Sequence, residues 1–468
     1  MNDIHKPTIV ALLLAGSFIA ILNQTLMITA IPPIINEMNV TPNSAQWLTT
    51  VFMLVNGIMI PISAFLIERF TTRQLFITAM SIFAAGTLLG GTAPNFEFLI
   101  ASRVIQSIGA GVMLPLMTTV FLLIFPINRR GSVMGLIGLV ISFAPAIGPV
   151  ISGWVTEHYH WRVLFYIILP IAVIDIIIAL FALRNVTEVK KTKFDVQSVI
   201  MSSFGFGGIL YGVTNAGNFG WSAPITIVTL GIGILSLILF ITRQLKLKHP
   251  MLEFRVFKYA IFPFSVFIGS ITFMGLIGTE TLIPLYMQNM RDFSAFEAGL
   301  SMLPGALITG LMGPFIGRLF DKVGGKWIIL PGLIIITSAT IPFIFIDINT
   351  TFTFIMVIYA LRMLGLSMIM MPIQTAALNQ LPKSLIPHGA ALDGTMRMVA
   401  ASVGTAVLVT IMTSVTAASE GNASIPYPDI FGVNVAFGVI GILALCTLAA
   451  YFFIKFDPPP SKQAELEK

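Results

Sequence analysis

Cysteine is almost missing from this chain. Cys446 is the only one in 468 residues, so no disulfide framework exists and the redox compartment stays open. Charge is scarce too: 10% of residues are charged and 56% hydrophobic, which excludes an ordinary soluble globular domain. Histidine is thin. His5, His158, His160, His249 and His388 have neither metal-ligand spacing nor a nucleophile partner, so no metal site and no enzyme is expected. No glycine-rich phosphate loop of the Walker type occurs, which argues against ATP as the drive, and no cofactor is expected.

Apolar sequence fills the space left. A membrane-crossing helix needs about 20 mostly apolar residues. Fourteen such runs lie near 8–32, 44–67, 73–92, 97–125, 131–155, 163–183, 195–214, 222–242, 260–288, 295–319, 327–346, 352–380, 387–416 and 432–455. The expected fold class is an all-α polytopic membrane protein with fourteen transmembrane helices. The first run is too long for a signal-peptide core and carries Asn23, Gln24 and Thr25, so it reads as retained.

An even span count puts both termini on one side. Lys6, Arg69, Arg73, Arg129, Arg130, the Lys190–Lys193 group, the Arg243–Lys258 stretch, Arg318, Lys322, Lys326 and the tail lysines fall on that side. Arg162 and Arg291 fall opposite. The positive-inside rule makes the first side the cytoplasm of a cell-membrane protein. The formal net charge of +6 is then a matter of topology, and no nucleic-acid partner is expected.

The chain is organised around residues 131–154, GSVMGLIGLVISFAPAIGPVISGW. Gly131 and Gly135, then Ala144, Gly148 and Ser152, recur at four-residue spacing and share helix faces, a flat stripe for close helix approach. Pro145 and Pro149 each remove a helical hydrogen bond. A hinge between bundles fits this pattern, and so does ordinary tight packing.

Weak internal repetition flanks it. AFLIERFTTRQ (64–74) and GRLFDKVGGK (317–326) each place acid beside base, Glu68-Arg69 and Asp321-Lys322, with a further cation behind. Arg103 and Arg362 follow in equivalent apolar spans. Parallel repeats of six helices build one class of transporters. The expected organisation is a six-helix bundle over 1–185, an inserted pair of helices with charged linkers over 186–258, a second bundle over 259–456, and a cytoplasmic tail, 457–468.

These motifs together resemble the fourteen-span drug:proton antiporters of the major facilitator superfamily, the EmrB/QacA type, and within it the lincomycin-efflux branch. The resemblance runs from LNQTLMITAIPPI (22–34) through SRVIQSIGAG (102–111), AIGPVISGW (146–154) and Trp161-Arg162 to PLYMQ (284–288) and AGLSMLPGAL (298–307). It implies switch loops at Glu68, Arg69, Arg73, Gly317, Asp321, Lys322 and Gly324, and an antiporter motif that includes Gly138, Pro145, Gly148, Pro149 and Gly153. Three departures stand out. Asn23 replaces a membrane-embedded aspartate of many relatives, Ala64 and Thr71 replace loop glycines, and Ser152 replaces a glycine of the antiporter motif.

Charges inside hydrocarbon are costly and point to function. Arg103, Asp175, Glu280, Arg362 and Arg397 qualify. Burial disfavours the charged form of a carboxyl group, so Glu280 and Asp175 are candidate proton carriers; each could equally be held by a structural hydrogen bond. Asp393 and Arg397 are four apart and can pair along one face, a structural role, while the resemblance implies a coupling role for Arg397. It also implies proton transfer for Arg103, whose plain alternative is a snorkelling anchor. The loop pairs read as latches between helix ends, or as topology-setting charge.

For cargo, 24 methionines and 37 phenylalanines supply adaptable walls. Candidate lining residues are Asn23, Gln24, Gln106, Tyr286, Met371 and Gln374, with Met368 and Met370 beside them. The expectation is a proton-driven multidrug exporter, monomeric, working by alternating access in the bilayer. A proton-coupled importer on the same fold is the alternative, which the 146–154 signature disfavours. A sensor or channel lacks support, because no stretch between spans is long enough for a soluble domain.

Overall fold

The structure is a computed structural model that describes residues 6–187, 189, 195–422, 425–454 and 456. The Lys190–Lys193 group and the tail over 457–468 lie outside the described residues. No strand occurs among the described residues.

The first half comprises α1 (Lys6–Met38), α2 (Pro42–Arg69), α3 (Thr72–Gly91), α4 (Phe96–Ile124), α5 (Arg130–His158) and α6 (Val163–Ala182). Next come α7 (Val196–Phe219) and α8 (Pro224–Lys246). The second half holds α9 (Ile261–Arg291), α10 (Ala295–Val323), α11 (Lys326–Thr340), α12 (Phe352–Ser367), α13 (Met370–Asn379), α14 (Ile386–Ser419) and α15 (Pro428–Tyr451). Among the described residues, fourteen helical segments are long and apolar enough to cross a membrane.

Short polar residues start the helices where the chain turns. Asn95, Ser294 and Thr351 accept from the backbone N–H three residues on, which satisfies an otherwise orphaned donor. The two charged loops differ in how they turn. Thr71 has extended backbone and forms a reciprocal cap with Gln74, so no glycine is needed there. Gly324 closes α10 at φ +80°, a conformation that side chains resist.

Several expected boundaries change; α1, for one, runs on to Met38 rather than 32. The run 352–380 is not one helix: it breaks at Met368–Ile369, between α12 and α13. Pro372 has no N–H for the Met368 carbonyl, which weakens the ladder there. The last helix begins at Pro428 rather than 432.

Packing repeats between the halves. α1 packs on α5 and α6, α2 on α4, and α3 on α4 and α6; likewise α9 packs on α14 and α15, α10 on α12, and α11 on α12 and α15. The halves meet along two seams, α5 against α10 and α2 against α14. α7 lies on both α2 and α14, while α8 leans mainly on α7. Gly208 and Gly233 allow that pair to touch backbone to backbone: a Cβ on Gly208 would sit 2.8 Å from the Gly233 Cα.

Candidate functional site

The α5–α10 seam is built from glycine. A Cβ on Gly131 would lie 2.6 Å from the Gly317 carbonyl oxygen, and one on Gly313 2.6 Å from that of Gly135. Further along, the same helices part around a cavity of about 640 Å³, counting its share of open solvent. Its wall draws on both halves. α5 gives Gly138, Ile141, Ser142 and Pro145; α9 gives Phe273, Leu276 and Glu280. α10 adds Thr309, α12 Tyr359 and Met363, and α13 Met370 and Met371. Glu280 is the one charged side chain among these lining residues.

Glu280 makes no hydrogen bond among the described residues, and its electrostatic neighbours are Arg362 and Tyr359. Arg362 is 1% exposed; its Nε donates to Thr340 Oγ1 at 3.3 Å and its Nη2 to the Gly275 carbonyl at 2.8 Å.

Arg103 is fully enclosed, so it is not a snorkelling anchor. Its Nε donates to the Leu48 carbonyl at 3.1 Å, its Nη1 to Gln106 Oε1 at 2.8 Å, and its guanidinium stacks 4.3 Å from the Phe52 ring. Gln106 passes the chain on to Thr87. Asp175 is buried with Oδ2 lacking a hydrogen-bond partner. It faces Gly16 of α1 and does not line the cavity.

Asp393 and Arg397 form a buried ion pair at 3.0 Å, and Gln374 Nε2 donates to Asp393 Oδ2 at 2.8 Å. Gln374 therefore serves the ion pair. Tyr286 donates its hydroxyl to the Asp347 carbonyl, pinning a loop outside the cavity. Asn23 is buried beside Gln24 on α1, and neither lines the cavity; Met371 does, against Gly138. Gly148 meets Thr25 of α1 and Ser152 donates to the Leu26 carbonyl, so the outer part of the α5 stripe faces its own half. Pro149 sits within unbroken α5, and a Cβ on Gly153 would meet nothing within 4 Å.

Three contacts cross the halves at one end. Asp321 of α10 accepts from the backbone N–H of Gly131 at 2.7 Å and of Ser132 at 2.8 Å, and from the Ser132 hydroxyl. It thus places a carboxylate on the positive N-terminus of α5. Glu68 of α2 lies 3.4 Å from His388 Nε2 of α14. Arg130 adds a bond to Asn379 at 2.9 Å. Arg69 and Lys322 are exposed, whereas Arg73 donates to the Leu180 carbonyl within its own half.

A sequence profile of the Major Facilitator Superfamily matches residues 13–405. The chain belongs to the major facilitator superfamily. It is 53% identical, over 98% of its length and 97% of the relative's, to YcnB, an uncharacterised transporter of this type from Bacillus subtilis (strain 168). The lincomycin resistance protein LmrB of the same organism is 43% identical over 96% of this chain and 95% of that one. The crystal structure of the human organic anion transporter MFSD10 (TETRAN) covers 96% of this chain and 99% of its own at a TM-score of 0.68. At 13% identity that likeness concerns the fold alone. As a superfamily member the chain is a membrane transporter and not an enzyme, as the motifs led one to expect.

Sequence reasoning missed three groups in this transporter. His388 pairs with a residue on a distant helix, and only its place opposite the first loop could have hinted at that. Tyr359 stands one turn before Arg362, a spacing open to view but without meaning until the cavity exists. Glu37, at the far end of α1, takes hydrogen bonds from Trp161 Nε1 and Arg162 Nη1.

Proposed function

We propose that this transporter exports hydrophobic drugs in exchange for protons. The cavity between α5, α9, α10, α12 and α13 would open alternately to the two sides of the cell membrane. The observation that carries the reading is Glu280, the single charged side chain on a wall of methionine, aromatic and aliphatic residues. A proton from outside neutralises it, drug binding and proton binding exclude one another, and each turnover swaps the two. One charge crossing about 100 mV supplies about 2.3 kcal/mol. That sustains roughly a 50-fold gradient of a neutral drug.

The two bundles, 1–185 and 259–456, rock about the glycine seam, with the inserted pair over 186–258 packed beside them. With both termini in the cytoplasm, the Asp321 and Glu68 contacts shut the cytoplasmic end. Asp175 is the second buried carboxylate available for coupling, and the working unit is a monomer. Kinship with a lincomycin resistance protein directs the search for cargo to lincosamides first, then to dyes and quaternary ammonium compounds.

The test is drug efflux from proteoliposomes under an imposed pH gradient. Glu280→Gln should abolish it while leaving the fold intact; full efflux in that variant overturns the reading. Asp175→Asn run beside it reads the proton-to-drug ratio: a changed ratio gives Asp175 a share, and an unchanged one leaves coupling to Glu280.

A further inference from the structure

Three tyrosines are buried among the described residues: Tyr286, Tyr359 and Tyr451. Two of them donate their hydroxyl hydrogens to main-chain carbonyls, Tyr286 to Asp347 at 2.5 Å and Tyr451 to Lys326 at 2.7 Å. That is the ordinary arrangement for a phenol taken out of water, since an unpaired buried O–H is costly. Tyr359 breaks the pattern. It is 2% exposed, borders the cavity, and makes no hydrogen bond among the described residues.

The ring of Tyr359 is held where it is. A Cβ on Gly305 would come within 2.6 Å of its Cδ1 and Cε1, so the ring presses on the α10 backbone. Met363, one turn further along α12, closes the same spot: that Cβ would lie 2.8 Å from its Cγ. A phenol fixed in advance loses little freedom when a guest bonds to it. The other hydroxyls on the wall belong to Ser142, Thr309 and Ser367. Two of these are already engaged on α10 and α12, Thr309 with the Gly305 carbonyl at 3.0 Å and Ser367 with that of Leu364 at 2.7 Å.

We propose that Tyr359 is a specificity-determining residue of the cavity, donating a hydrogen bond to an oxygen of the cargo. The class it favours is an amphiphile with an apolar body and a hydroxyl, carbonyl or amide oxygen. The proposal rests on the reading of this cavity as the cargo site. A guest that fills the space dries the phenol, and the outcome then depends on the guest. An oxygen within reach takes the hydrogen. A cation covered only in hydrocarbon leaves the donor dry and unpaired, which costs more than the bond itself contributes. A site built on such a donor therefore discriminates more sharply than an apolar wall discriminates by size. Glu280 cannot make this distinction, because its charge attracts cations with or without an oxygen. The two side chains read separate properties of the cargo.

The experiment is thermal unfolding of the purified full chain, wild type and Tyr359→Phe, alone and with two probes. Lincomycin carries hydroxyl and amide groups; tetraphenylphosphonium is a cation with no hydrogen-bonding group. Without a probe Tyr359→Phe should melt with the wild type, since the ring stays and no bond is lost. Tyr286→Phe and Tyr451→Phe, which each lose a carbonyl bond, should melt lower. A drop as large in Tyr359→Phe would reveal a partner inside the protein and overturn the proposal. With probes, the dependence of the melting shift on concentration gives the affinity. Tyr359→Phe should bind lincomycin about three- to tenfold more weakly and tetraphenylphosphonium as the wild type does. Equal weakening of both, the result if the phenol served Glu280 or only packed, overturns the proposal, and so does no weakening of either. A wild type that binds the cation but not lincomycin contradicts the preference outright. If neither probe binds the wild type, the cargo reading of the cavity falls and takes the proposal with it. Unimpaired efflux in Glu280→Gln beside a selective loss in Tyr359→Phe would remove the proton site and leave the selectivity standing.

Discussion

Gly135 of α5 and Gly313 of α10 touch backbone to backbone: a Cβ on Gly313 would lie 2.6 Å from the Gly135 carbonyl oxygen. No side chain fits between them, so the distance between the halves along this seam is set by main-chain atoms. Small residues at a helix interface permit such close approach.

The seam predicts a contrast between two glycines of the same helix. Gly135→Leu should push α5 from α10 and reduce efflux more than tenfold. Gly153→Leu, whose Cβ would meet nothing within 4 Å, should leave efflux near wild type. Efflux rates of the two variants at matched expression check this, and equal losses would contradict the seam's role.

Asp321 predicts a gating defect. With Asn in its place the α5 N-terminus loses a charged acceptor, a contribution of about 1 kcal/mol or somewhat more. A cysteine put at Ser142, on the cavity wall, should then react faster with an impermeant maleimide added at the Lys6 side. Arg73→Ala should not change that rate, because Arg73 bonds only within the first half.

The buried Asp393–Arg397 pair predicts a non-additive cost. Removing either partner alone should destabilise by about 3–5 kcal/mol, since it strands a buried charge. Replacing both with apolar residues should recover much of the loss. Thermal unfolding in detergent of the two single variants and the double variant provides the measurement. A simple sum of the single effects would refute the pair.

Glu37 predicts an acid-sensitive corner. Burial raises its carboxyl, but hydrogen bonds from Arg162 and Trp161, then the charges of Arg162 and His160, outweigh this and hold it below the ordinary 4.5. A depressed folded-state value means the contact stabilises above the unfolded value and is lost as pH falls through the folded one. Glu37→Gln should therefore lower stability slightly at neutral pH, by less than about 1 kcal/mol for so exposed a pair, read from thermal unfolding. The difference should shrink as pH falls below the ordinary 4.5 and vanish once Glu37 is protonated in the folded protein as well. A gap that persists in acid would show that shape, not charge, holds the corner.

Most of the fold was legible because hydrocarbon leaves a chain few options: with no water to satisfy the backbone, an apolar run must become a helix. The charged loops and the Gly131–Gly135 spacing carried the arrangement of halves for the same reason, since small residues mark where helices meet. The site was less legible. Glu280 and Met371 line the cavity, yet Gln374 and Gln106, equally polar and equally central in their spans, are consumed by Asp393 and Arg103. Gln106 sits one turn from Arg103 on α4, whereas Gln374 meets Asp393 of another helix, which spacing along one helix does not show. Asp175 makes the same point: nothing local distinguishes a face turned to Gly16 from one turned to the cavity. Glu68 and His388 lie far apart in the chain, and no pattern within either segment announces their pairing.

The interruption between α12 and α13 has a chemical consequence. Ser367, Met370 and Met371 beside it all border the cavity. Pro372 offers no hydrogen to the Met368 carbonyl, and backbone left open at membrane depth is tolerated where it is buried in protein or lines such a space. An acceptor left open at that break is neutral, so its strength does not vary with acidity and does not follow the protonation of Glu280.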